Sequence, residues 1–115
     1  MRLLGKGRIS RFKQKHANAR KRLDAWIRTV EDASWSCLLD IQLTYRDTEF
    51  ARGKNRYIYK IGGNEYRVVA QIVFSTNTVI IESAMTHAEY DKWCDRKWSA
   101  AAAETVNFDK GGALQ

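Results

Sequence analysis

Residues 56–84 constrain this chain more than any other segment. RYIYKI (56–61) alternates, and its residues are mostly aromatic or β-branched, the pattern of a half-buried strand. Gly62-Gly63-Asn64 follows and signals a tight turn. EYRVVAQIVF (65–74) reads as a second strand, Ser75-Thr76-Asn77 as another turn, and TVIIESA (78–84) as a third strand. Three strands with such short connections predict an antiparallel meander.

The segments on either side have other periods. Residues 2–4 read as a short first strand, ended by Gly5 and Gly7. The apolar residues Ile9, Phe12, Leu23, Trp26, Ile27 and Val30 then recur in helical steps of three and four. Asn18 interrupts the pattern as a break and N-cap, which predicts two helices, 9–16 and 19–32. Packed antiparallel, they would bury Phe12 against Leu23 and Trp26. Residues 33–45 fit a short helix or a buried turn, with Ser34 and Ser36 cap-like. Residues 46–55 read as a polar loop with a Gly-Lys-Asn turn. After the sheet, Thr86-His87-Ala88-Glu89 is a capping box that opens a helix over 87–103. Residues 104–115 read as a flexible tail. The chain of 115 residues is therefore expected to form one α+β domain over 1–103.

Charge narrows the function. Residues 1–30 carry ten basic side chains against Asp24 alone, and the formal net charge of the chain is +7. Such polarity predicts a polyanionic partner. Arg8, Arg11, Lys15, Arg20, Lys21 and Arg22 are the candidate RNA contacts. No stretch approaches the roughly 18 apolar residues of a membrane span, and the N-terminal residues lack a signal peptide's apolar core. A cytoplasmic setting without membrane contact is expected. Two cysteines, Cys37 and Cys94, and no His/Cys cluster argue against a disulfide scaffold or a metal site. No cofactor is expected.

His87, Glu89, Tyr90 and Asp91 crowd the first turn of the last predicted helix, where free N–H groups favour an anion. If the strands 56–61 and 65–74 pair across the glycine turn, Lys60 and Arg67 face the same side. Such a set suits RNA cleavage without a metal. Arg holds the phosphate, and His, Tyr or a carboxylate moves the two protons. Each residue also has a plainer role: His87 as a surface group, Glu89 as the cap, Tyr90 as core and Arg67 as a solvated strand residue.

RISRFKQKH, LDAWIRTVEDASW, NRYIYKIGGNEYRVVAQIVF and THAEYDKW together resemble the HigB toxins of bacterial type II toxin–antitoxin pairs, within the wider RelE-like group of mRNA endonucleases. The resemblance covers about residues 1–93. Segment 37–55 departs from the usual pattern, and the chain continues beyond Trp93 where such toxins are expected to stop. The resemblance implies a RelE-like α+β fold: a short strand and a two-helix segment packed on an antiparallel sheet, then a C-terminal helix. It implies a metal-independent mRNA interferase acting on translating ribosomes, held by a HigA-like helix-turn-helix antitoxin that alone contacts operator DNA. The implied catalytic positions are Arg67, His87 and Tyr90, with Lys60 and Glu89 beside them. A basic module that binds RNA or the ribosome without cutting, and a co-repressor subunit of an antitoxin complex, remain as alternatives.

Overall fold

A computed structural model describes residues 1–63 and 65–94. The chain runs β1 (Arg2–Leu4), α1 (Lys6–Lys15), α2 (Arg20–Asp32), α3 (Leu38–Gln42), β2 (Glu49–Ala51), β3 (Arg56–Ile61), β4 (Tyr66–Val73), β5 (Thr78–Thr86) and α4 (87–94). The five strands form one sheet in the order β1-β5-β4-β3-β2. The predicted meander is its centre. β3 pairs antiparallel with β4, Ile61 opposite Tyr66, and β4 pairs antiparallel with β5.

Two edges extend the meander. β1 runs parallel to β5, Leu3 opposite Val79, so the sheet is mixed rather than wholly antiparallel. β2 pairs with β3 where a polar loop was expected. A three-residue edge strand is held by backbone pairing and leaves little alternation to read. β4 and β5 slip out of register between Val69 and Ala70, where Val69 faces Ser83 and Ala70 faces Ile81. Glu82 is the extra residue of this bulge.

One face of the sheet is covered by α1 and α2. Ile9 and Phe12 from α1 and Leu23, Trp26 and Val30 from α2 share a buried cluster with Tyr59, Ile61, Tyr66, Val68, Val79 and Ile81. The Trp26 ring meets Tyr59 edge-on at 5.0 Å, and Phe12 meets Tyr66 edge-on at 5.8 Å. The expected burial of Phe12, Leu23 and Trp26 holds. The helix starts differ from the reading. α1 begins at Lys6, because Gly5 takes a left-handed conformation (φ 89) that turns β1 directly into a helix. A Cβ at Gly5 would stand 2.8 Å from the Ile81 carbonyl, so glycine is required there on both counts. Asn18 is no N-cap. It lies in a 3-10 turn, Ala17–Ala19, and α2 follows from Ala19 without a side-chain cap. Residues 33–45 contain the short α3, whose entry is tied by the Ser36 N–H donating to Asp40 Oδ2 at 2.9 Å.

The other face carries a smaller cluster: Ala51, Ile58, Val69 and Met85, covered by Trp93 with Tyr90 and Cys94 beside it. α4 therefore packs on the side opposite α1 and α2. Asn64 and the expected helical residues beyond 94, with the expected tail 104–115, lie outside the described residues. Among those described, no helix is long and apolar enough to cross a membrane.

Candidate functional site

The glycine turn sets the register that builds the site. Gly62 and Gly63 both take positive φ (68 and 67), which closes β3 onto β4. Lys60 then lies directly opposite Arg67, so both project from the face that carries α4. The predicted parity holds.

β5 returns beside β4 and delivers α4 to the same end of the sheet. The His87 N–H donates to the Glu65 carbonyl at 2.8 Å, which pins the junction to the start of β4. The capping box forms as read. The Glu89 N–H donates to Thr86 Oγ1 at 3.2 Å, and the Thr86 N–H donates to Glu89 Oε1 at 2.9 Å. The N–H groups of Thr86, His87 and Glu89 are thus engaged within the protein. The anion-attracting element at this end is the arginine.

Arg67 is 3% exposed. Its guanidinium donates to the Tyr66 carbonyl at 3.2 Å and lies 3.1 Å from His87 Nδ1. Its Cζ stands 5.4 Å from the Tyr90 ring centroid, a cation–π arrangement. Arginine only donates, so Nδ1 accepts and the ring proton of His87 sits on Nε2. Nε2 lies 3.6 Å from Asp91 Oδ2, one helical turn on. A guanidinium stripped of water attracts a phosphate far more strongly than one in solvent.

Tyr90 stacks on Trp93 with centroids 5.8 Å apart. Burial raises its phenol above the ordinary value near 10, Cys94 and Glu49 push the same way, and Arg67 opposes them. Tyr90 therefore remains protonated at neutral pH, as a hydrogen donor.

The structure brings Arg67, His87 and Tyr90 into contact, with Lys60 one strand away. The Lys60 ammonium is held by Glu49 Oε2 at 3.1 Å. Glu89 stands apart, its carboxylate turned to the cap. Glu49 was not read from the sequence. β2 places it on the site face, and a charged residue in TEFARGKN gives no local signal of that. The basic residues Arg8, Arg11, Lys15, Arg20, Lys21 and Arg22 are all exposed. They belong to α1 and α2, on the side of the sheet away from Arg67. Arg22 reaches the sheet end, its side chain lying against Gly62. No group of three or more metal-ligating side chains occurs among the described residues.

Comparison with known proteins agrees with this geometry. Residues 19–93 match the family HigB_toxin, described as a RelE-like toxic component of a toxin–antitoxin system. The chain is 25% identical over 93 residues to the "mRNA interferase HigB" of Escherichia coli O6:H1, covering 80% of this chain and 90% of that protein. It is 49% identical over 35 residues to the "mRNA interferase toxin HigB" of Escherichia coli K12. That shorter match spans 30% of this chain and 34% of that relative's length. The matched family segment begins at the end of the 3-10 turn and runs through Trp93, so it takes in α2, most of the sheet and the whole Arg67–His87–Tyr90 cluster. The chain belongs to the HigB toxin family.

Proposed function

We propose that the chain is the toxin of a toxin–antitoxin pair and cleaves mRNA endonucleolytically. The observation that carries the chemistry is the buried Arg67 guanidinium, held between His87 Nδ1 and the Tyr90 ring. Arg67, with Lys60, receives the scissile phosphate and stabilises the charge that grows on it in the transition state. As the phosphate takes up Arg67, His87 Nδ1 is released and accepts the proton of the 2′-OH. The Nε2–H stays oriented toward Asp91. The 2′-oxygen forms a bond to phosphorus while the bond from phosphorus to the 5′-oxygen breaks. Tyr90, placed against Arg67 by the cation–π contact, supplies the proton to that oxygen. The products are a 2′,3′-cyclic phosphate and a 5′-hydroxyl. Glu89 acts on this site by holding the start of α4.

The exposed basic residues of α1 and α2 serve a different contact. They lie behind the sheet, so they suit docking on ribosomal RNA while the message lies on the opposite face. That contact weakens steeply as salt rises. A HigA-like helix-turn-helix antitoxin is the partner this reading implies, with operator DNA reached through it. The setting is the bacterial cytoplasm.

His87→Ala tests the proton assignment. Single-turnover cleavage of a translated message is expected to fall by about 10²–10⁴-fold, while the variant melts like the wild type because His87 is exposed. Cleavage at the wild-type rate would move the base to another residue.

A further inference from the structure

Beside the Arg67–His87–Tyr90 cluster, at the β2 edge of the sheet, lies a cavity of about 340 Å³. Its apolar walls include Leu38, Phe50, Ala51 and Ile58, and Gln42 and Glu49 add polar groups. Ala51 and Ile58 belong to the cluster under α4, and Leu38 and Gln42 come from α3, so the cavity lies along the β2 edge where the two sides of the sheet meet. Glu49 joins the cavity to the phosphate clamp. It lines the cavity and holds Lys60, the register partner of Arg67. This volume falls near the lower end of the range for small-ligand sites.

We propose that this cavity receives a guanine base of the RNA, read by the Glu49 carboxylate. The inference rests on RNA lying along Lys60 and Arg67. A nucleotide next to a phosphate held there reaches the neighbouring sheet edge, and its flat, apolar faces match the walls. The polar chemistry selects the base. A carboxylate only accepts, and the Gln42 side-chain amide already donates one N–H to the Thr48 carbonyl at 2.9 Å. Guanine presents two adjacent donors, N1–H and the 2-amino group, which a carboxylate accepts side by side. Adenine and cytosine present a donor next to an acceptor, and uracil a donor between two acceptors. A ring nitrogen or carbonyl facing Glu49 is repelled. Lys60 engages Oε2 in the free protein, and an arriving phosphate draws that ammonium away and leaves the carboxylate to the base.

The test is equilibrium binding of 2′-O-methyl hexamers, which lack the attacking hydroxyl and so report recognition apart from cleavage. A uridine hexamer with one central guanine is compared with the same hexamer carrying adenine or hypoxanthine there. The guanine hexamer is expected to bind about tenfold or more tighter than the adenine one. Hypoxanthine, which lacks the 2-amino group, should fall between. Glu49→Gln offers one acceptor and one donor and should reverse the order to adenine over guanine. Taking ratios removes any common loss from the weakened Lys60 pair. Equal binding of the three hexamers by the wild type would overturn the inference, as would a guanine preference that survives in Glu49→Gln. Guanosine monophosphate should displace the hexamer only in large excess. Displacement at equal concentration would assign the cavity to free nucleotides instead. Loss of the cleavage reading leaves the hexamer ratios intact, so the two fail separately.

Discussion

Arg67→Ala is expected to lower message cleavage by about 10²–10³-fold, the cost of removing one donor aimed at developing negative charge. The effect should be large because the guanidinium is nearly dry, at 3% exposure, and its neighbours aim it. The Tyr66 carbonyl anchors one arm, His87 Nδ1 meets the other, and the Tyr90 face supports the plane. Arg67→Lys should recover little of the loss. An ammonium keeps the charge but not the planar fork that holds the Tyr66 carbonyl while passing from the imidazole to a phosphate. Single-turnover cleavage is the measurement, with thermal melting in parallel. A folded Arg67→Ala protein that cleaves at the wild-type rate would remove the phosphate role.

Trp26→Ala acts through stability and should be the most damaging core substitution. Trp26 is fully buried and is among the largest of the fully buried side chains. It meets Tyr59 edge-on at 5.0 Å, in the layer that joins α2 to the centre of the sheet. Its truncation is expected to cost about 3–5 kcal/mol. A domain of this size holds about 5–15 kcal/mol in all. The indole Nε1 has no hydrogen-bond partner among the described residues, so the loss is one of packing. Urea unfolding measures it directly. A shift below about 1 kcal/mol would show that the helix layer closes over the gap. Cleavage should fall with the folded fraction here, whereas in Arg67→Ala it falls with the fold intact.

The parts of the site visible in the sequence are those that local chemistry sets. Gly62 and Gly63 announce a tight turn, the turn sets the β3–β4 register, and the register puts Lys60 opposite Arg67. Thr86 and Glu89 announce a reciprocal cap, and the cap places His87 and Tyr90 at the start of α4. The contact between Arg67 and His87 then follows from β4 and β5 lying side by side, Arg67 opposite Met85. What was missed depends on pairing at a distance. Three residues at 49–51 become a strand only because β3 offers a free edge, and Glu49 enters the site with them. The parallel partner of β1 lies more than seventy residues along the chain, and nothing in Arg-Leu-Leu encodes it. Asn18 looked like a cap because it breaks an apolar pattern. The break is a 3-10 turn, which uses backbone bonds instead of a side chain.

The chemistry of the cut ends tests the central claim most directly. Purified protein is added to a translating reaction, and the new RNA ends are typed by their reactivity to kinase and ligase. Attack by the 2′-OH at the Arg67–His87–Tyr90 cluster predicts new 5′-hydroxyl ends within the message, paired with 2′,3′-cyclic phosphates, and about 10²–10³-fold fewer with Arg67→Ala. A message that stays intact, or fragments that carry 5′-phosphates, would contradict it.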